Sequence, residues 1–367
     1  MVVRSGLRSA VRSAVYSGIA DKFGGAFVLS SLWANGEAAT LYEADDLTSL
    51  FLESDGQTIV TADAQTVGFN LDRAQMGDLS AAAFLSAQPE LVSNGSNPTA
   101  TTGWKCFETS GTLAASNLTA SGGVFVVDAS SGNRIAATAV TTVVGRTYRL
   151  ELEVTALGAG NRFWIQRSDV TETNGAAMVG PLSSAQAISL FFVATATTTY
   201  IQVHFDNLGV PSGSFNLVSV KSTDGQSSIQ TTTSAEPAWK TGDFIRYDGS
   251  DDCLLTTAVC GSSGNSLAVK VTLPASAASA QVIAGLQASS STRFYLAVDT
   301  SGNLCAGVGN DGITTIIRTG NLFGETGVAV LVEDGSTVKL FLSNNPLLAL
   351  KPQGEQSNGR SQTTLAP

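Results

Sequence analysis

Two groups of side chains have the types and spacing for recognition chemistry: the carboxylates Asp248, Asp251 and Asp252, and the rings Trp104, Trp164, Tyr200 and Trp239. Paired carboxylates cleave a glycosidic bond when they flank it. Asp251 and Asp252 are adjacent, so on a strand they point to opposite faces and share no bond. The run Asp248 to Asp252 reads instead as a turn in which short acidic side chains hold backbone N–H groups. Oxygens of Asp248, Asp251 and Asp252 could together build a Ca2+ site, since hard cations want several oxygens; no other cofactor is expected. The four rings fit sugar binding, which needs an aromatic plane for the apolar face of the sugar and polar groups for its hydroxyls. Each ring also suits a core position. Trp164, between Phe163 and Ile165, is expected on a strand with one wet side. The single His, His204, sits in an alternating strand pattern and reads as structural or surface. No Ser nucleophile elbow, phosphate loop or HExxH motif is present, so no catalysis is expected.

Composition narrows the remaining classes. Charged residues make up 14% of the 367, against roughly 25% in an ordinary soluble domain. A net charge of −10 argues against nucleic-acid binding, which needs a basic surface to displace counterions. No apolar run of about 18 residues is present to span a membrane as a helix. Hydrophobic residues reach 43%, enough for packed cores. Cys106, Cys253, Cys260 and Cys305 are too dispersed for a disulfide framework and read as reduced and buried.

The elements that would position these residues are mostly strands. Tyr148, Leu150, Leu152 and Val154 alternate with Arg149, Glu151 and Glu153, the period of a half-buried strand. Val124 to Val127, Ile135 to Val144, Phe163 to Ile165, Ile188 to Ala194, Tyr200 to Phe205 and Phe215 to Val220 add further strands. A second β block includes Leu267 to Leu273, Arg293 to Val298 and Val328 to Val332, with a hairpin turn at Asp299 to Gly302. The leader differs. Arg4, Arg8 and Arg12 recur on one helical face, and Leu7, Val11, Val15 and Ile19 on another. Residues 1–22 hold four basic side chains and one Asp, a local +3, which leaves −13 for residues 23–367. The expected fold is therefore mainly β: two antiparallel β-sandwich domains, jelly-roll and lectin-like, with an N-terminal amphipathic helix. The expected boundaries are a basic anchor helix over 1–25, a connector over 26–89, the first sandwich over 90–222, a Ser/Thr-rich linker over 223–236, the second sandwich over 237–350 and a polar tail over 351–367.

Three segments resemble known families. Leu41 to Phe51, Thr58 to Thr61 and Val67-Gly68-Phe69-Asn70-Leu71-Asp72-Arg73 resemble the opening of tailed-bacteriophage and prophage structural proteins, and the basic leader fits that group. Glu90 to Gly95, Gly103-Trp104, Val143 to Leu150 and Gly213 to Val220 resemble jelly-roll carbohydrate-binding modules, although Leu217-Val218 stands where those modules place an Asp. Phe244 to Leu254 and Val338 to Leu342 resemble concanavalin-A-like or laminin-G-like sandwiches, although Asn345 stands where Gly is common.

These resemblances imply a virion structural protein, a tail fibre, spike or adhesion component, assembled in the host cytoplasm. Its anchor would be Arg4, Leu7, Arg8, Val11, Arg12 and Val15. Implied partners are other virion proteins of capsid, portal, collar or tail, further copies of the chain as a trimer, and host surface polysaccharide; nucleic acid and a membrane span are not expected. One alternative is a capsid decoration protein or head fibre without a receptor role. Another is a glycan-cleaving enzyme on a sandwich fold, and a third is a secreted lectin, for which a cleavable signal would be expected.

Overall fold

The computed structural model describes residues 2–4, 42, 47–74, 76, 79–128, 132–206, 212–241, 244–247, 253–256, 266–273, 275–276, 281–287, 293–309, 315–324, 326–333, 337–343, 351–357 and 361–363. The chain divides into two compact units. One comprises residues 55–57 and 79–227; the other comprises 1–54, 58–78 and 228–367.

The second of these begins with β1 (Val2–Arg4), β2 (Leu50–Phe51) and β3 (Phe69–Asn70). The leader is thus a strand over its first described residues rather than a helix. Val2 and Val3 are β-branched and favour extended backbone, and they pair with Arg246 and Ile245 on one side and Thr272 and Val271 on the other. The rest of the expected helix, including Leu7, Arg8, Val11, Arg12 and Val15, lies outside the described residues.

The other unit opens with α1 (Ala81–Ala87), whose N-cap Ser80 accepts a hydrogen bond from the Ala83 N–H. Ten strands follow. They are β4 (Trp104–Phe107), β5 (Leu118–Ser121), β6 (Val124–Asp128), β7 (Arg134–Thr141), β8 (Thr147–Leu157), β9 (Arg162–Ser168), β10 (Ala176–Leu182), β11 (Ala187–Val193), β12 (Thr198–Asp206) and β13 (Ser212–Ser222). They form two antiparallel five-stranded sheets, in the orders β10-β9-β12-β7-β4 and β11-β8-β13-β6-β5. The last eight strands supply β6-β13-β8-β11 to one sheet and β7-β12-β9-β10 to the other. That double Greek key is a jelly roll. The alternation read in β8 holds: Tyr148, Leu150, Leu152 and Val154 are buried and enter the core between the sheets. Trp104, Phe125, Phe205 and Phe215 form an aromatic chain within the same core, with Trp104 4.6 Å from Phe125 and 5.4 Å from Phe215.

The remaining strands return to the unit of residues 1–54, 58–78 and 228–367. They are β14 (Ser228–Ile229), β15 (Ala238–Lys240), β16 (Phe244–Arg246), β17 (Leu255–Thr256), β18 (Ser266–Thr272), β19 (Gln281–Gln287), β20 (Arg293–Val298), β21 (Asn303–Gly309), β22 (Thr315–Asn321), β23 (Thr326–Glu333), β24 (Thr337–Ser343), β25 (Lys351–Ser357) and β26 (Ser361–Thr363). They give an eight-stranded sheet, β15-β16-β1-β18-β23-β24-β25-β26, and two four-stranded sheets, β19-β20-β21-β22 and β17-β14-β3-β2. Val269, Val271, Leu296, Val298, Leu304, Leu331 and Leu340 form one core of this sandwich.

Three expected segments take a different form. Residues 223–236 are built into structure: Thr223 donates from both its N–H and its hydroxyl to the Thr147 carbonyl, and Ser228–Ile229 pairs with β3 and β17. Ser and Thr hydroxyls there satisfy backbone groups that a flexible linker would leave to water. Within the 26–89 connector, Leu50, Val60 and Val67 pack with Trp239 and Ile245. In the 351–367 tail, Lys351–Ser357 and Ser361–Thr363 extend a sheet.

Candidate functional site

The structure separates the four candidate rings. Trp104 and Trp239 are each 7% exposed and belong to cores, so neither offers a plane to a ligand. Trp164 and Tyr200 are half-buried on the outer face of the sheet β10-β9-β12-β7-β4. Strand alternation explains the difference. On β9, Phe163 and Ile165 enter the core, which leaves Trp164 and Gln166 on the other side. On β12, Ile201, Val203 and Phe205 enter the core, which leaves Tyr200, Gln202, His204 and Asp206 outside. Asp248, Asp251 and Asp252 lie outside the described residues. Among the described residues no group of three or more His, Cys, Asp or Glu is placed to hold a metal ion. Also among them, no helix is long and apolar enough to cross a membrane.

Register brings the outer residues together. His204 lies opposite Trp164 on β9 and Ile135 on β7; Gln202 lies opposite Gln166 and Ala137. The imidazole stacks on the indole, with centroids 5.0 Å apart and planes 28° from parallel. The Arg162 guanidinium sits 5.3 Å from the same indole and donates to Asp206 at 2.7 Å. On the β10 side, Gly180 approaches so closely that a Cβ there would lie 3.0 Å from the Trp164 Cδ1.

The segment 169–175 between β9 and β10 is strapped over this face. Gln202, fully buried, donates from Nε2 to the Thr173 carbonyl at 2.7 Å, and its Oε1 accepts from the Gly175 N–H at 2.9 Å. Lys105 on β4, three strands from β9 in the sheet, donates to Glu172 Oε1 at 2.5 Å and Thr171 Oγ1 at 3.4 Å. The hydrogen bond to Glu172 holds the Lys105 pKa above its ordinary value. The strap thus crosses β12 and β7 and covers the middle of the face.

Two side chains beside it are buried without being satisfied. His204 and Gln166 are each 6% exposed. Neither ring nitrogen of His204, nor the Oε1 of Gln166, has a hydrogen-bond partner among the described residues. Burial pushes the His204 pKa below 6.5 against the opposing pull of Asp206, so the ring is neutral at pH 7. A neutral imidazole carries one donor and one acceptor, and Gln166 Oε1 is an acceptor. The patch therefore offers an aromatic edge, a donor and two acceptors in a nearly dry setting. The sequence marks these positions: Trp164-x-Gln166 and Tyr200-x-Gln202-x-His204 are period-2 polar and aromatic series that alternate with the apolar Phe163, Ile165, Ile201, Val203 and Phe205. His204 read as structural or surface because nothing in sequence identifies its neighbour across the sheet.

No family model matches the chain, and no curated protein matches it. Among solved structures, the adhesin domain of Epf from Streptococcus pyogenes is similar over 76% of this chain and 98% of that one, at 6% identity and a TM-score of 0.27.

Proposed function

We propose that this chain is a non-catalytic attachment protein of a tailed-bacteriophage particle, in which the jelly roll engages host surface glycans. The observation that carries sugar recognition is the outer face at Trp164, where a half-buried indole adjoins unsatisfied His204 and Gln166. Sugar sites combine these elements: a ring for the apolar side and convergent polar groups for hydroxyls. Membership in a virion rests on the likeness of residues 41–73 to phage structural proteins. In this reading the basic leader, with Arg8 and Arg12, docks the protein on the particle, and copies associate as a trimer.

Retention of the purified protein on host lipopolysaccharide or capsule arrays, lost in Trp164→Ala, is the expected result. No retention on any host glycan would leave a decoration or head-fibre protein without a receptor role. Release of reducing sugars would replace the proposal with an enzyme. For docking, Arg8→Glu with Arg12→Glu should abolish incorporation into particles, and normal incorporation refutes the anchor. Electron microscopy of labelled particles then locates the protein on head, collar or tail.

A further inference from the structure

We infer that the Trp164–Gln166–His204 patch selects uncharged, hydroxyl-bearing sugars and discriminates against acidic ones. This rests on the sugar-binding reading above and adds the class of ligand.

The charges on this sheet face are already balanced. Among the described residues, the cations on the outer face of this sheet are Arg162 and Lys105. Each is already paired: Arg162 with Asp206 at 2.7 Å and Lys105 with Glu172 at 2.5 Å. Arg162 also lies against the Trp164 ring. A uronate, sialate or phosphorylated sugar would have to break one of these pairs, or sit beside Asp206 and Glu172 with no free cation. Like charges brought together in a partly dry site are costly. The net charge of −10 adds to that repulsion at longer range.

The unsatisfied groups point the same way. A carboxylate or phosphate only accepts hydrogen bonds, and of the three unsatisfied atoms it could engage only the His204 nitrogen that carries the proton. Gln166 Oε1 and the second imidazole nitrogen need donors. A sugar hydroxyl both donates and accepts, so adjacent hydroxyls can satisfy all three atoms. These atoms are shielded from solvent in the structure. Access therefore requires a displacement, for which the half-exposed Arg162 side chain and the 169–175 strap are the neighbouring candidates.

The test presents the full chain with arrays of neutral oligosaccharides (glucans, galactans, N-acetylhexosamine polymers) and of uronic-acid, sialylated and phosphorylated glycans at fixed ionic strength. Neutral glycans should bind, and acidic counterparts at least about tenfold more weakly, the scale of one or two hydrogen-bonding mismatches. His204→Phe and Gln166→Met, which keep approximate volume, should each weaken neutral binding about tenfold. Near-ultraviolet circular dichroism confirms their folding; if either fails to fold, His204→Gln and Gln166→Glu replace them, and the Glu variant should lose neutral binding too. A preference for acidic glycans overturns this inference while leaving sugar binding intact. Neutral binding untouched by these substitutions overturns the placement of the site. Absence of binding to every glycan overturns the sugar-binding reading and this inference with it.

Discussion

Replacing Gln202 with Leu should loosen the strap without dismantling the sandwich. Gln202 makes two hydrogen bonds to the strap, with Thr173 and Gly175, and is fully buried. Each such neutral bond contributes about 0.5–1.5 kcal/mol net, so together they hold the strap by about 1–3 kcal/mol. Leu preserves most of the volume and the contact of the side-chain stem with the row containing Ala137. The freed Thr173 carbonyl and Gly175 N–H can reach water once the strap lifts, so the loss falls in the lower half of that range. In a domain of roughly 150–250 residues each kcal/mol moves Tm by about 2–4 °C, giving an expected fall of about 2–8 °C. The sharper readout is native-state hydrogen exchange. The Gly175 amide should exchange about tenfold faster in the variant, since about 1.4 kcal/mol is a factor of ten. Amides in the core strand β8 should be far less affected. An unchanged Gly175 exchange rate, with the variant folded, would refute the assignment of Gln202 as the strap's fastening.

Further substitutions probe the packing and titration around this face. The pKa of His204 is lowered by burial in the folded state, so between that value and 6.5 the unfolded chain binds the extra proton; stability is full above about pH 6.5 and falls as pH drops toward the folded-state value. Urea midpoints from pH 7.5 to 5.5 should therefore decline less steeply in His204→Phe than in the parent, and parallel slopes would contradict the burial argument. Burial raises the Cys106 thiol to about 11, so iodoacetamide at pH 8 should leave it unlabelled until the protein is unfolded. A Cβ on Gly213 would lie 2.2 Å from the Phe205 ring, so Gly213→Ala should cost about 1–3 kcal/mol in chemical denaturation through overpacking.

Where the sequence was legible, a period or a turn residue had a single structural solution. Tyr148 to Val154 must place its apolar half in a core, and the two-sheet jelly roll supplies one. Asp299 to Gly302 must turn: Asp299 Oδ1 accepts from the N–H groups of Ser301 and Asn303, and Gly302 takes φ +81°. Strand β10 escapes such a reading because Ala176 to Leu182 is held by backbone pairing to β9 while much of it stays exposed, leaving no periodic trace. The 223–236 segment misleads for the opposite reason: its polar composition resembles a linker, yet Thr223, Ser227 and Ser228 are buried with their backbones bonded. At the candidate site, the alternation of Trp164 with Gln166 was visible. The strap was not, because Lys105–Glu172 and Gln202–Gly175 join residues 67 and 27 positions apart.

One sheet face thus holds two kinds of buried amide. Gln202 has donor and acceptor both engaged by the strap, and such a satisfied group holds and rigidifies the loop it bonds. Gln166, its neighbour across β9 and β12, leaves Oε1 without a partner among the described residues, and His204 two positions along leaves both nitrogens so. Burying a group unpaired costs about 1–3 kcal/mol, a large share of a stability of about 5–15 kcal/mol. The same outer face accepts apolar side chains: Ile135, opposite His204, and Ala137, opposite Gln202, are buried with Phe107. An apolar side chain at 166 or 204 would remove the cost and keep the sandwich. Unsatisfied polar atoms beside a half-buried indole thus carry a cost that packing does not offset, and the proposed sugar ligand would complete their hydrogen bonds.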